Sequence, residues 1–265
     1  MINFIETHYS RPISIKELEG ISYYSYRNLQ RIFKYTCGET IGAFQKRIRV
    51  ERGYKLALYT NESMTEIALE VGFENLASFS KAFKQHFGVS PKEARANKAF
   101  LFERHAILPI ASKAELKPEI VYMPPMKVYY RSTQTEYVNE EIEALWSEFM
   151  GFDFPALGTE YFGVVADEPL ITDTIRCRYD ACASMQARGK RLPSKLLFGG
   201  RYAKFIHRGS YDSIDETYQK IYGGWILTTD LEFSPLPIVE HYVKHDSNTE
   251  LELDYLTGIL IPIQR

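Results

Sequence analysis

The chain has 265 residues, of which 45% are hydrophobic and 25% are charged, a composition typical of a globular protein with room for two domains. No apolar run approaches the roughly 20 residues that span a bilayer, and the first residues lack the features of a signal peptide, so we expect a cytoplasmic protein without a membrane partner. The three cysteines are an odd number without CxxC spacing, which indicates neither a disulfide framework nor a zinc cluster and favours free thiols. We expect no metal and no cofactor.

The net charge of −2 conceals a difference between the two halves of the chain. Residues 1–118 contain 18 Lys and Arg against 12 Asp and Glu, whereas residues 119–265 contain 14 against 22. Lys and Arg placed against phosphates release counterions and supply affinity for nucleic acid, although solvated helices are often as basic. The first half is therefore the one expected to meet a polyanion.

The first hundred residues contain an internal repeat with an offset of 50 residues. Apolar, basic and glycine positions are shared: Leu29, Phe33, Lys34 and Gly38 recur as Phe79, Phe83, Lys84 and Gly88. Each unit is predicted to form a short helix, a turn and a second helix. Between the units, residues 41–59 predict a connecting helix, and its 19 residues would span roughly 28 Å at about 1.5 Å per residue. That length approaches the roughly 34 Å between successive major grooves on one side of DNA.

Helix ends in the two units are marked by capping residues. In the second unit, Ser63 and Glu66 have the spacing of a capping box, and Asn75 is placed to cap the next helix. Ser25 has the corresponding place in the first unit. In the first unit, Ile15 and Leu18 fall on one helix, and the next helix has Leu29, Ile32 and Phe33 inward. In the second unit, one helical face is formed by Met64, Ile67, Ala68 and Val71, and the apolar face of the next helix by Leu76, Phe79 and Phe83.

The stretch Met64–Arg95, MTEIALEVGFENLASFSKAFKQHFGVSPKEAR, resembles the DNA-binding domain of the AraC/XylS family, and the resemblance covers about residues 1–98. It implies an all-α domain with two helix-turn-helix units. The first unit departs from the family at Glu19, where a small residue is usual. By resemblance, contacts at or near base edges fall on Arg27, Gln30, Arg31, Leu76, Ala77, Ser78 and Lys81. Lys34, Lys46 and Lys84 are expected to contact phosphates; the alternative is that these side chains are solvated helix faces.

After a predicted linker at residues 99–118, the pattern changes to alternating strands. Strands are expected at 120–123, 128–130, 162–166 and 175–183, with a helix at 138–150. The order recurs as a strand at 197–207, a helix at 214–228, and strands at 237–243 and 251–263, the last interrupted by Gly258. The sequence therefore predicts an α+β domain, at residues 119–265, built from duplicated β-α-β-β units.

This half resembles the GyrI-like effector-binding domains, through Gly163, Arg178-Tyr179-Asp180-Ala181-Cys182, His207-Arg208-Gly209-Ser210-Tyr211, Trp225, Pro237-x-x-Glu240-x-Tyr242 and Ile261-Pro262. The resemblance implies an SHS2-type fold. It also implies an aromatic groove between the repeats, with an acidic residue that accepts small molecules, often lipophilic cations.

Glu240 is the candidate acidic residue because it falls in the middle of a predicted strand. A buried carboxylate must be paired or neutralised, and a cation beside aromatic faces would gain charge pairing and about 0.5–2 kcal/mol of cation–π attraction. The candidate walls are Trp146, Tyr161, Phe162, Trp225 and Tyr242. The alternatives are that these aromatic residues are ordinary core, and that Glu240 forms an ion pair or lies on an exposed edge.

The sequence thus predicts a DNA-binding transcription regulator, not an enzyme, with double-stranded DNA, a small-molecule effector and RNA polymerase as partners. Two alternatives stay open for the second domain: a hydrolase that uses a pocket Glu with Tyr and Trp, and a protein-interaction module without a ligand. No GxSxG, P-loop or HExxH pattern supports catalysis, and the six histidines are scattered.

Overall fold

The computed structural model describes residues 1–97, 116–137, 139–168, 170–173, 176–234 and 236–264. The chain divides into two compact units, residues 1–98 and 99–265. Residues 99–115 of the predicted linker lie outside the described residues, so the bounds of the linker stay a prediction.

The first unit is helical, as predicted. Its helices are α1 (Ile2–Thr7), α2 (Ile15–Ser22), α3 (Tyr26–Cys37), α4 (Ile41–Tyr59), α5 (Met64–Glu70), α6 (Leu76–Phe87) and α7 (Pro91–Ala96). The pairs α2–α3 and α5–α6 are the two helix-turn-helix units. The predicted connecting helix is confirmed as α4, which has the expected 19 residues.

Local sequence explains where these helices begin and end. The Ser63 hydroxyl accepts from the Glu66 backbone N–H at 3.2 Å, and the Glu66 carboxylate accepts from the Ser63 backbone N–H at 2.8 Å, which confirms the predicted capping box. Gly38 and Gly88 end α3 and α6 with φ of 71° and 82°, a region that favours glycine. The 50-residue repeat is therefore a repeat of helix ends as well as of apolar positions.

Each helix-turn-helix unit has its own apolar core. The first core comprises Ile5, Leu18, Leu29, Phe33, Ile41, Phe44 and Ile48. In the second unit, Tyr54, Phe83 and Phe87 pack with ring centroids 4.6–5.0 Å apart. The predicted inward position of Ile32 is wrong, because this side chain is 41% exposed, and Ile15 and Leu76 are exposed as well, at 51% and 37%. Ile15 and Leu76 lie in the first turn of short helices, and Ile32 lies beside the buried stripe of α3.

The second unit contains eight strands and, among its described residues, two principal helices. The strands are β1 (Glu119–Met123), β2 (Met126–Gln134), β3 (Tyr161–Val165), β4 (Arg178–Ala183), β5 (Ser194–Leu197), β6 (Gly200–Arg208), β7 (Ile238–Lys244) and β8 (Leu256–Ile263). The helices are α8 (Asn139–Met150) and α9 (Ile214–Lys220). A π-helical turn (Ile221–Trp225) and a short α10 (Ile226–Thr228) continue α9.

The strands form one antiparallel sheet in the order β1-β6-β8-β7-β3-β4-β2-β5. If β1–β4 and β5–β8 are taken as the two repeats, exchanging each strand for its counterpart reverses this order and leaves it otherwise unchanged. The predicted duplication is therefore confirmed as a pseudo-twofold arrangement. Its axis passes between β3 and β7, where the two repeats meet.

Several strand bounds differ from the prediction. The predicted strand 197–207 is two strands, because Leu197 ends β5, which pairs with β2, and Gly200 begins β6, which pairs with β1 and β8. Between them, a Cβ added to Gly199 would lie 2.5 Å from Pro125. The last strand begins at Leu256 and continues through Gly258 without interruption. The strand predicted from residue 175 begins at Arg178; residue 175 itself, and residue 138 of the predicted helix, lie outside the described part.

The two faces of the sheet have different environments. On one face, α8 packs against β2 and β4, and α9 is joined to β7 by a side-chain hydrogen bond. The other face carries an apolar cluster that includes Val128, Phe162, Val164 and Val239. Because side chains alternate along a strand, Glu240 points to the helix-covered face and Val239 to the apolar cluster.

Candidate DNA-reading surface and small-molecule site

The predicted DNA contacts lie on the exposed sides of the two second helices, α3 and α6, and on α4. Nine of the ten side chains are exposed: Arg27, Arg31, Lys34, Lys46, Leu76, Ala77, Ser78, Lys81 and Lys84. Gln30 is half-buried. The arrangement leaves basic and amide groups available on both helices, which is what major-groove reading requires. The role of each side chain in DNA binding stays a prediction.

The two reading helices are capped in different ways. In α6, the Asn75 side chain accepts from the Ser78 backbone N–H at 2.8 Å, as predicted. In α3, Ser25 holds the predicted N-cap position, but its side chain forms no cap hydrogen bond. The carboxylate of Glu19, on α2, accepts from the Tyr26 backbone N–H at 2.7 Å instead. Glu19 therefore replaces the usual cap and brings a negative charge to the start of α3.

Gln30 is tied to the same end of α3. Its amide nitrogen donates to the Tyr26 hydroxyl at 2.5 Å, so this side chain must exchange one hydrogen bond for another before it can contact a base. Arg31 and Lys81, which the 50-residue repeat matches, are both exposed. Gln30 is therefore a predicted contact of the first unit that a neighbouring side chain holds in place.

Glu240 lies at the centre of the sheet, on β7, and is 5% exposed. Its Oε2 accepts hydrogen bonds from the hydroxyls of Tyr179 at 2.6 Å and Tyr242 at 2.7 Å. Its Oε1 accepts from the Tyr218 hydroxyl at 2.7 Å. In the described part of the chain, no Lys, Arg or His forms an ion pair with this carboxylate. Neutral donors therefore stabilise a buried acidic group.

The three tyrosines are held in their protonated form. Burial raises the pKa of Tyr179, Tyr218 and Tyr242 well above the usual value, and the nearby charge of Glu240 raises it further. A protonated hydroxyl is a donor, which is the role that all three play toward Glu240. The carboxylate and its tyrosines consequently form one network of acceptor and donors.

Aromatic rings surround this network. Trp146 on α8 packs edge-on against Tyr242, with centroids 5.0 Å apart, and its Nε1 donates to the Tyr179 hydroxyl at 3.4 Å. Tyr161 packs against Trp146 at 6.4 Å, and Tyr211 against Tyr242 at 5.5 Å. The faces of these rings would give a cation beside Glu240 favourable surfaces to contact.

Phe162 lies on the opposite face of the sheet from Glu240. It is 2% exposed there and stacks on His241 with centroids 4.7 Å apart. Trp225 packs against Phe205 and Phe233 at 4.9 Å and 5.6 Å, and Phe205 is on the same face as Glu240, two strands away. The geometry therefore gives no support for Phe162 in the groove, whereas Trp146, Tyr161 and Tyr242 lie around the carboxylate and the place of Trp225 stays a prediction.

The sequence patterns did not identify Tyr179, Tyr211 or Tyr218 as candidate site residues. Tyr179 falls on a predicted strand with alternating side chains, which is a usable signal. The sequence alone did not show that this strand pairs with β3, the strand that contains Gly163. Tyr218 lies on a helix of the second repeat, and only the sheet pairing places that helix above Glu240. These residues come from distant parts of the chain, so no spacing pattern links them.

His207 holds the helix that carries Tyr218. Its Nδ1 lies 2.9 Å from the Thr217 hydroxyl and its Nε2 lies 3.0 Å from the Ser210 carbonyl. Because a carbonyl only accepts, Nε2 carries a proton toward Ser210. The segment His207–Tyr211, which carries part of the family resemblance, thereby anchors α9 to β6.

Gly163 provides the space for the network. It pairs with Glu240 across β3 and β7, and an added Cβ would lie 1.9 Å from the Tyr179 hydroxyl and 2.6 Å from Glu240 Oε2. The two repeats are offset by 77 residues at Lys127 and Lys204, and the same offset relates Gly163 to Glu240. The two halves therefore differ at the axis: one contributes the carboxylate and the other contributes the room for it.

Other kinds of site are not found in the described residues. No group of His, Cys, Asp and Glu there could hold a metal ion. No helix among them is both long and apolar enough to cross a membrane. An open cavity of about 630 Å³ lies away from Glu240, and it is lined by Tyr122, Gly199, Gly200, Arg201, Ser234, Leu236, Ile263 and Gln264.

Two exposed helix-turn-helix units joined to a duplicated sheet domain with a buried carboxylate define a DNA-binding protein with a small-molecule binding domain. Residues 116–264 match the model of the GyrI-like small molecule binding domain, and residues 21–97 match that of a helix-turn-helix domain. The chain therefore belongs to the GyrI-like family, and its helix-turn-helix domain is of the AraC type. It is a transcription regulator that combines these two domains.

Relatives share either the first domain or the whole arrangement. YkgA of Escherichia coli (strain K12), named as an HTH-type transcriptional regulator, is 37% identical over 95 residues, which are 36% of this chain and 40% of YkgA. The right origin-binding protein of the same organism is 25% identical over 100% of this chain and 97% of its own. The transcriptional regulator Rob of Salmonella typhimurium (strain LT2) is 23% identical over the same shares. The last two have the same domain order as this chain.

Proposed function

We propose that the second domain binds a small lipophilic cation at Glu240 and that this binding alters the action of the first domain on DNA. The observation that carries the proposal is the burial of Glu240 among neutral donors. Its described hydrogen-bond partners are three protonated tyrosines, so an arriving cation would be the first positive partner of the carboxylate. A buried carboxylate whose partners are neutral gains charge pairing from a cation, which favours such a ligand.

The aromatic rings define the expected ligand more closely. Trp146, Tyr161 and Tyr242 lie around the carboxylate and offer apolar surface together with negative ring faces. A compact metal ion would leave these rings without a contact, whereas an aromatic or bulky organic cation would use both the rings and the charge. The ligand class is therefore an organic cation with substantial apolar surface.

A thermal-shift titration of the full chain with tetraphenylphosphonium tests the ligand proposal. A specific site stabilises the folded protein by RT ln(1 + [L]/Kd), which is about 2.7 kcal/mol at a hundred times the dissociation constant. Triphenylphosphine oxide, a neutral compound with similar rings, is the matched control and should give a smaller shift. Equal shifts with both compounds, or no shift with a panel of lipophilic cations, would contradict the proposal.

For DNA, we propose that Arg31 on α3 and Lys81 on α6 contribute to reading. Both side chains are exposed, and the two helices carry the polar faces of their units. A duplex selected from a random pool by the full-length protein supplies the target. The double variant Arg31→Ala with Lys81→Ala should bind this duplex at least about tenfold more weakly, since each base contact contributes about 1–3 kcal/mol. Retention of tight, salt-sensitive and selective binding would remove these assignments.

We further propose that the second domain binds its ligand without converting it. The Tyr179, Tyr218 and Tyr242 hydroxyls are donors to Glu240, so the carboxylate is occupied as an acceptor rather than poised as a free base. Unchanged ligand recovered after prolonged incubation supports binding, whereas hydrolysis products that disappear with Glu240→Gln would establish catalysis.

We also propose that RNA polymerase is the protein partner at promoters. Transcription from the selected duplex with purified RNA polymerase tests this proposal.

A further inference from the structure

We infer that Arg49 is a positioning residue that fixes the angle between the two helix-turn-helix units, and thereby the spacing of the two DNA half-sites that the protein accepts. This inference concerns the first domain and is independent of the ligand at Glu240. It begins with the segment between α1 and α2, residues 8–11, which is held on α4. Gln45 Nε2 donates to the carbonyls of Tyr9 at 3.0 Å and Arg11 at 2.8 Å.

Arg49 joins this segment to the second unit. Its Nε donates to the Tyr9 carbonyl at 2.6 Å and its Nη2 to the Arg11 carbonyl at 3.1 Å. Its Nη1 donates to the carbonyl of Gly72 at 2.8 Å. Gly72 belongs to the turn between α5 and α6, the turn that sets the direction of the second reading helix. One guanidinium therefore bonds to both sides of the junction.

The contact between the 8–11 segment and the turn at Gly72 is tightly packed. Gly72 has φ of 87°, and an added Cβ would lie 1.9 Å from the Ser10 carbonyl oxygen. The backbone of the 8–11 segment thus touches the turn of the second unit directly. Arg52 lies over the Tyr9 ring, with its Cζ 4.9 Å from the centroid, and further holds the segment on α4.

The chemistry of Arg49 suits a rigid junction. The guanidinium is planar and presents its donors in a fixed fork, so three carbonyls bound at once define its plane and their own relative positions. A lysine would keep the positive charge but would offer a flexible point donor. The connecting helix α4 sets the distance between α3 and α6, while Arg49 sets the rotation of one unit relative to the other.

Half-site spacing measures that rotation. Adding one base pair between two half-sites moves them apart by about 3.4 Å and rotates them by roughly 34°, since B-DNA has about 10.5 base pairs per turn. A protein with a rigid junction tolerates the altered half-site spacing poorly, whereas a protein with a loosened junction adjusts to it. The full-length protein and a duplex selected from a random pool provide the reference, and duplexes with one base pair added or removed between the half-sites provide the test.

Arg49→Lys is expected to reduce the preference for the selected spacing over the altered spacings, from about tenfold in the unmodified protein to roughly threefold or less. Gln45→Ala is the matched control, because it removes bonds to the same segment without touching Gly72, and it should keep the preference. Thermal unfolding and binding to an isolated half-site of the second unit establish that each variant is folded. If Arg49→Lys weakens binding equally at all spacings, or leaves the preference at its original value, the inference is overturned.

Discussion

Gly163 and Glu240 face each other across the central strand pair, and a Cβ added to Gly163 would lie within 2.6 Å of the Glu240 carboxylate and 1.9 Å of the Tyr179 hydroxyl. Gly163→Ala should therefore displace Tyr179 and break its bond to Glu240. Overpacking of this kind costs about 1–3 kcal/mol of unfolding free energy. Chemical denaturation and tetraphenylphosphonium titration measure the effects on stability and binding.

Gly224→Ala is the matched control for this change, since an added Cβ there meets no atom within 4 Å. It should leave both stability and binding near their original values. Wild-type stability in Gly163→Ala would contradict the account of why the two repeats differ at this position.

Tyr218→Phe is predicted to lower the stability of the ligand-free protein and to raise its affinity for cations. The change removes the hydroxyl that donates to Glu240 Oε1, and an unsatisfied buried acceptor costs about 1–3 kcal/mol. A bound cation recovers part of this cost, so the dissociation constant should fall. Tyr222→Phe, one turn along the same helical segment, loses a hydroxyl that donates to Glu168 and should not alter cation affinity. Weaker cation binding by Tyr218→Phe would show that the hydroxyl serves the ligand instead.

Alkaline pH is predicted to destabilise the second domain. The pKa values of Tyr179, Tyr218 and Tyr242 lie well above 10.0, because burial and the charge of Glu240 both oppose the tyrosinate. The folded protein holds these protons more tightly than the unfolded chain, so their contribution is complete below pH 10.0 and declines as the pH rises above it. NMR of labelled tyrosine rings should show that Tyr179, Tyr218 and Tyr242 resist titration at pH 10.0, and Glu240→Gln should lower their pKa. Ordinary titration of these three rings would refute this assignment.

Glu19→Gln is predicted to tighten DNA binding. The amide oxygen can keep the hydrogen bond from the Tyr26 N–H, while the negative charge at the start of α3 is lost. Repulsion between unit charges roughly 5–10 Å apart in water is about 0.4–0.8 kcal/mol, so affinity for the selected duplex should rise roughly twofold to fourfold at low salt. Glu216→Gln makes the same charge change in the other domain and should have no effect. An unchanged or lower affinity in Glu19→Gln would mean that this end of α3 does not face phosphate.

Sequence patterns predicted the helical domain well because its determinants are local. Capping boxes such as Ser63 with Glu66, and glycines such as Gly88, act within one or two turns of a helix. The exposed faces of α3 and α6 followed from the same periodicity. Glu19 escaped this reasoning, since its bond to Tyr26 depends on how two helices cross.

The surroundings of Glu240, the proposed ligand site, were predicted only in part because their determinants are non-local. Glu240 was recognised from its place in a strand, but Tyr179 and Tyr218 reach it through the pairing of β3 with both β4 and β7, and through the packing of α9. Phe162 illustrates the opposite error. It adjoins Gly163 in sequence, and alternation along the strand sends it to the other face of the sheet.

Calorimetric titration of tetraphenylphosphonium into the full-length protein and its Glu240→Gln variant tests the central claim most directly. Loss of the charged partner should cost about 1.5–3 kcal/mol, which is roughly a tenfold to hundredfold rise in the dissociation constant. Glu143→Gln, an exposed change on α8, should bind as the unmodified protein does. Unchanged affinity in a folded Glu240→Gln variant would contradict the claim that this buried carboxylate is the cation site.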